Sequence, residues 1–168
     1  QHGTSVVYYA FVSFARRVRD TLRDEPRGPM QLLLIRHASN DWVNDRLAGW
    51  TPGVHLNDDG RAEALALAHR LSDQRLDAVY ASPLERAQET AAFVAAPHGL
   101  SVETLDGVGE LRMGSWEGRA LEELRDEPLW GAIQRYPSGT RIPGGETLRE
   151  VQARAVAAVE DLLGTHAD

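Results

Sequence analysis

The sequence predicts an α/β protein built on a mostly parallel sheet. Three observations carry this. Leu32-Leu33-Leu34-Ile35 is a short aliphatic run that stops abruptly at Arg36-His37, as a buried parallel strand closed by a turn would. Leu76-Asp77-Ala78-Val79-Tyr80-Ala81 is a second short strand that runs straight into a helix start at Ser82-Pro83. Segments with helical spacing of apolar residues separate and follow the strands, and such alternation implies a parallel α/β sheet.

The elements follow in order. Residues 1–29 differ in composition from the rest and read as an N-terminal extension. Val6 to Val12 is apolar and aromatic, and Arg16, Arg17, Arg19 and Arg23 follow. Val7, Phe11, Phe14, Val18 and Leu22 share a helical face, although the first part of the segment suits a strand equally well. Glu25-Pro26-Arg27-Gly28-Pro29 reads as a linker, so the folded domain is expected over 30–168. Asp41 to Val54 is a polar loop carrying Trp42 and Trp50. Leu56-Asn57-Asp58-Asp59-Gly60 opens a helix with N-cap candidates and acids in its first turn, and Ala64, Leu65, Ala68 and Leu71 form its apolar face. Ser82 as N-cap and Pro83 at the first position open the next helix, which Pro97-His98-Gly99 ends. Ser101 to Leu105 alternates as a strand does. Asp106 to Gly118 is a loop holding Glu110, Arg112, Trp116 and Glu117. Leu121 to Arg135 gives one or two short helices interrupted at Pro128. Pro143-Gly144-Gly145-Glu146-Thr147 turns into a long helix with Leu148, Val151, Ala155, Val159 and Leu162 as its stripe.

Composition narrows the function. The chain has 168 residues, 42% apolar and 26% charged, enough for one domain with a core. It has no cysteine, hence no disulfide or thiolate metal site. No apolar run reaches the length of a membrane span, and the expectation is a cytoplasmic protein with no membrane partner. The formal net charge is −7. Residues 1–29 carry +2 and the remainder −9, which argues against a nucleic-acid partner. An anionic substrate would therefore need a local group of arginines. All 18 basic residues are Arg.

Two strand ends supply such a group. Ligand sites in α/β sheets lie at the carboxyl ends of strands. Arg36 and His37 end the first strand, and Arg36 offers a planar fork of donors beside an imidazole that can act as nucleophile. Arg86 falls in the first turn of the helix after the second strand, where free N–H groups already favour an anion.

Together these stretches resemble the histidine phosphatase superfamily, which includes cofactor-dependent phosphoglycerate mutases. The matching pieces are Leu34-Ile35-Arg36-His37, Leu56 to Ala64, Ala81-Ser82-Pro83-Leu84-Glu85-Arg86-Ala87-Gln88-Glu89-Thr90-Ala91, Gly109 to Gly118, and Pro143-Gly144-Gly145-Glu146-Thr147. Glu127 to Trp130 and Gln152 to Val156 look most like an actinobacterial-type branch of probable phosphomutases and phosphatases. The resemblance implies a phosphoglycerate mutase-like, three-layer α/β/α fold with helices on both faces. It implies His37 as the phosphoryl acceptor, Arg36 and Arg86 as holders of the equatorial oxygens, and Glu110 as the proton donor, with Glu117 as its neighbouring competitor. Asn40 and Asn44 are the candidates for the substrate-contacting Asn. No cofactor and no metal is implied, because arginine supplies the positive charge.

The chain departs from the pattern in three places. Ala38 stands where Gly is common. Val43, not Asn, follows Trp42. The family's second catalytic His, at the end of a further strand, has no counterpart before Asp168, so the domain is expected to lack its last strand. The Val6–Phe14 run is the expected filler of that gap. His166 takes no catalytic role, and His2-Gly3 fits only a circular permutation. The expected function is a phosphomonoester phosphatase acting on a phosphorylated small molecule. The alternatives are a phosphoglycerate mutase-type phosphomutase and a binding or scaffolding member without turnover. Assembly as a homo-oligomer is left open.

Overall fold

The computed structural model describes residues 11–15, by their backbone, and residues 31–166. The strands are β1 (Phe11–Ala15), β2 (Gln31–Leu34), β3 (Ala78–Ala81) and β4 (Val102–Thr104), in the sheet order β2-β1-β3-β4. β3 and β4 pair in parallel, whereas β1 pairs antiparallel with both β2 and β3. Three strands therefore point one way and β1 lies reversed between two of them. The apolar N-terminal run does enter the sheet, over Phe11–Ala15, and it does so as strand rather than helix. Val7, Val18, Leu22, the His2-Gly3 dipeptide and the linker lie outside the described residues.

β2 differs from the buried strand expected of it. Gln31 is exposed and Leu34 is 66% exposed. The reason is topological: among the described residues β2 has a partner, β1, along one side alone, and this makes it an edge strand.

The sheet is covered on both faces. Side chains alternate along a strand, and β3 sends Val79 and Ala81 to one side and Ala78 and Tyr80 to the other. On the first side α1 (Asp58–Leu71) and α2 (Glu85–Ala95) pack through Leu67, Leu71, Ala91, Val94 and Ala95. On the second, α5 (Leu148–Thr165) packs through Ala158, Val159 and Leu162. Fully burying a valine such as Val79 or Val94 contributes about 1.5–3 kcal/mol, and both are fully buried. This is the expected three-layer α/β/α arrangement.

Local chemistry explains the helix boundaries. Asn57 caps α1, its side chain accepting from Gly60 N–H at 2.8 Å. Leu65 is 49% exposed, so the apolar face of α1 turns through Leu67 instead. α2 begins at Glu85, not at Pro83, with Leu84 extended before it. Because Leu84 is extended, the helical turn cannot start at Pro83, and Ser82 lies outside the cap. α3 (Leu121–Leu124) and α4 (Pro128–Arg135) are separated where expected, with Pro128 in the first turn of α4. Thr147 and Glu150 form a reciprocal capping box at the start of α5. α3, α4 and the start of α5 pack on the 111–116 loop through Leu111, Met113, Trp116, Leu124 and Ile142.

Candidate active site

The turn after β2 is held by α1 and α2. Ala38 N–H donates to Thr90 Oγ1 at 3.0 Å, and that hydroxyl donates to Arg86 O at 2.7 Å. Ala38 is buried among Leu56, Ala64 and Phe93, so the extra methyl at this position has a place to pack. Ser39 N–H and Oγ both donate to the Glu63 carboxylate, at 2.9 Å each. The start of α1 presses on the same turn: a Cβ on Gly60 would stand 1.9 Å from Ser39 O.

This scaffold sets the tautomer of His37. Its Nδ1 lies 2.8 Å from Ala38 O. A carbonyl oxygen can only accept, so Nδ1 carries the proton and Nε2 keeps its lone pair. Burial, with the charges of Arg86 and Arg36, lowers the His37 pKa to about 4 against the opposing pull of that Ala38 bond. The imidazole is therefore neutral at ordinary pH, as a nucleophile must be.

Arg86 is 1% exposed and sits in the first turn of α2. Nη2 donates to Gly49 O at 2.9 Å, while Nε and Nη1 have no partner. A buried cation with two idle donors is costly, and Arg86 lines a cavity of about 520 Å³ into which those donors can act. Arg36, His37, Asn40, Asn44 and Glu110 line the same cavity, so all six expected residues converge. Asn40 is buried and its Oδ1 accepts from Trp42 N–H at 3.0 Å, forming the turn after His37. Asn44 is exposed, with a left-handed φ of 66°, a conformation Asn tolerates.

Glu110 is fixed at its backbone and its carboxylate. Its carbonyl accepts from Trp50 Nε1 at 2.6 Å, and its Oε1 accepts from Leu111 N–H at 2.9 Å. Burial raises its pKa above the usual carboxylate value, opposed by the Leu111 bond and by Arg86, Arg36 and Arg154. Glu117 points elsewhere: its Oε1 accepts from Met113 N–H at 3.1 Å, and it does not line the cavity. Of the two acids, Glu110 is the one that lines the cavity. Trp42 lines the cavity, whereas Trp50 works from behind Glu110.

The outer wall was not legible beforehand. Leu121, Arg125, Trp130, Ile133 and Ile142, from α3, α4 and the segments that follow them, close the cavity. Trp130 ends the 127–130 stretch that carries the branch resemblance, but no spacing rule places any of the five at the cavity, because packing sets their role. Arg36, Arg46, Arg86 and Arg125 face Glu110 as the lone lining acid. The cavity is thus positive within a negative molecule, and such a cleft draws in anions. Among the described residues no cluster of three His, Asp or Glu could hold a metal ion, and none of the helices is long and apolar enough to cross a membrane. His166 lies on the α5 side of the sheet, with Nε2 at 2.9 Å from Tyr80 Oη.

A mixed α/β sheet with a tautomer-locked histidine, two flanking arginines and a buried acid defines a class, and the comparisons agree. Residues 32–168 match the histidine phosphatase superfamily (branch 1), and the chain belongs to that family. It is 38% identical over 136 residues to an uncharacterised protein of Mycobacterium tuberculosis, an overlap of 77% of this chain and 64% of that protein. It is 30% identical over 150 residues to phosphoserine phosphatase 1 of Hydrogenobacter thermophilus, covering 82% of this chain and 66% of that one. Among solved structures, a mycobacterial glucosyl-3-phosphoglycerate phosphatase complexed with VO3 is 27% identical with a TM-score of 0.71, covering 77% and 65% of the two chains. The Bacillus stearothermophilus protein YhfR is 30% identical with a TM-score of 0.73, covering 78% and 66%. The chain spans about two thirds of the length of these relatives.

Proposed function

We propose that this protein hydrolyses phosphomonoesters through a phosphohistidine on His37. The observation that carries the proposal is the pairing of a free Nε2 on neutral His37 with the two idle donors of buried Arg86 in one cavity. An anion with several oxygens, such as phosphate, answers both needs.

The ester's phosphate enters with its non-bridging oxygens on Arg36 and Arg86. The Nε2 lone pair attacks phosphorus while the P–O bond to the leaving group breaks. Glu110, whose hold on a proton is strengthened by burial, gives its proton to the departing oxygen. The alcohol leaves, and a water then attacks phosphorus. Glu110 takes that water's proton, the N–P bond breaks with its electrons returning to Nε2, and inorganic phosphate is released. The arginines act by compensating charge that builds on the equatorial oxygens in both transition states.

The outer cavity mixes the apolar surface of Trp42, Leu47, Trp130, Ile133 and Ile142 with Arg46, Arg125 and Gln134, which suits an ester whose body carries both apolar and polar or anionic groups. A phosphomutase would share the first half-reaction and return the phosphoryl group to an organic acceptor instead of water. The test is hydrolysis of para-nitrophenyl phosphate by wild type and His37→Ala, with trapping of acid-labile phosphate on the protein. Loss of both signals in the variant is expected. Full activity of His37→Ala would exclude His37 as the nucleophile, and transfer to an added alcohol without phosphate release would favour the mutase.

A further inference from the structure

Arg154 lies on α5, behind the cavity wall, and does not line the cavity. Its guanidinium makes five hydrogen bonds. Nε and Nη2 donate to the two oxygens of Glu146 at 2.9 Å each. Nη1 donates to Gly107 O and Gly109 O at 2.8 Å each, and Nη2 to Glu110 O at 2.7 Å. A guanidinium has five N–H donors, so every one is used. Three of the acceptors are backbone carbonyls of the segment that presents Glu110.

The rest of the network closes around that segment. Glu146 Oε2 also accepts from Arg112 N–H at 3.0 Å, and Glu146 N–H donates to Arg112 O at 2.9 Å. Glu110 O receives Trp50 Nε1–H as its second donor. Gly107 rests on α5 so closely that a Cβ there would lie 2.4 Å from Ala158 Cβ. The loop is thus pinned on both sides of Glu110, and the pin common to both is Arg154. Three carbonyls converging on one point would repel one another without a cation between them.

We propose that Arg154 is a positioning residue that holds the Glu110 carboxyl at the leaving-group oxygen, an inference that rests on the phosphatase reading. Lysine cannot replace it, because an ammonium has three donors and no planar fork. Proton donation by Glu110 matters most when the departing oxygen is strongly basic. Misplacing the acid therefore penalises poor leaving groups selectively, whereas a merely structural defect lowers all substrates alike.

The experiment compares wild type, Arg154→Met, Arg154→Lys and Glu110→Gln on para-nitrophenyl phosphate and on an alkyl phosphate. Arg154→Met is expected to lose on the order of 100-fold in kcat/KM on the alkyl ester, the scale of general acid catalysis, and only a few-fold on the nitrophenyl ester. Arg154→Lys should show the same selectivity, and it carries the test if the Met variant does not fold. In the Glu110→Gln background the Arg154 change should add no further selectivity. Equal losses on the two esters, or undiminished activity in both Arg154 variants, would overturn the positioning role. His37→Ala separates the two levels: if it keeps full activity, the phosphohistidine reading fails; if it is inactive and the Arg154 losses are equal, only this inference fails.

Discussion

Replacing Arg86 by methionine should move activity and stability in opposite directions. In the substrate-free protein the guanidinium is 1% exposed, with one hydrogen bond to Gly49 O and with Nε and Nη1 unpartnered. Each unsatisfied buried donor costs about 1–3 kcal/mol, and burial itself depresses the charge of this arginine. Methionine fills a similar volume without charge. Against that gain stand the lost Gly49 bond, about 1 kcal/mol, and the lost attraction to Glu110. The net expectation is a stability change between zero and about +2 kcal/mol, or a rise in Tm of up to about 6 °C for a chain of this size. In the proposed reaction the idle donors are the ones that meet the phosphate. Two hydrogen bonds to a charged group contribute about 3–6 kcal/mol together, so kcat/KM should fall by roughly 10²–10⁴. Steady-state hydrolysis of para-nitrophenyl phosphate and thermal unfolding, with and without inorganic phosphate, measure both. Phosphate should raise the Tm of wild type by mass action and leave the variant unmoved. A variant with Tm lowered by several degrees and kcat/KM near wild type would refute the reasoning, because Arg86 would then be a structural cation.

Four other outcomes follow from the same geometry. The acid limb of kcat/KM should lie near pH 4, where free His37 protonates, not near the ordinary 6.5 of histidine; a limb near 6.5 would contradict the burial of His37. The same shift makes the protein less stable as pH falls from about 6.5 to 4, because the unfolded chain takes up the proton first; the loss is on the order of 3 kcal/mol, read by urea unfolding, and His37→Gln should flatten it. Gly60→Ala should cost about 3 kcal/mol or more, since the new methyl meets Ser39 O at 1.9 Å; an unchanged urea midpoint would mean that the turn after His37 is not pressed on α1. Ser13→Pro removes a donor from the ladder between Leu33 and Val79 and should cost about 1–3 kcal/mol; no effect would mean that Phe11–Ala15 does not pair inside the sheet.

How much of this could be read beforehand depended on whether the cause was local. Arg36, His37 and Arg86 were legible because strand ends and a helix start place them by short-range rules, whereas Glu110, in a loop, was marked by the resemblance alone. The cap at Asn57 was legible for the same short-range reason, whereas the 143–147 turn marked only where a long helix begins. The edge position of β2 was not, because an aliphatic run of four looks the same at an edge as inside a sheet. Ser82 looked like a cap, but Leu84 is extended and the helix starts two residues beyond the Ser-Pro pair. Arg125 carries no local signal and Trp130 was marked only as part of the branch resemblance, since only the packing of α3 and α4 on the 111–116 loop brings them to the cavity. Arg154 was visible within a quoted motif, but its partners lie 44 to 47 residues away in sequence, and no spacing rule reaches that far.

The electrostatics of the site make its acid depend on its substrate. Burial raises the Glu110 pKa, while Arg86 and Arg36 lower it. The same two arginines help keep His37 neutral. A phosphate dianion docked on those arginines cancels much of their field at both neighbours. Glu110 then loses its stabilising cations and holds its proton more firmly, at the moment when a proton must be given to the leaving oxygen. His37 becomes easier to protonate, but Nε2 now faces phosphorus rather than water, so the lone pair stays committed to attack. The basic limb of kcat, which reports the bound state, should therefore lie above the basic limb of kcat/KM, which reports the free protein. Arg86→Met should narrow that gap, because removing the cation produces in the free protein part of the shift that substrate otherwise causes. Coincident limbs in wild type would show that Glu110 does not feel the phosphate-binding arginines.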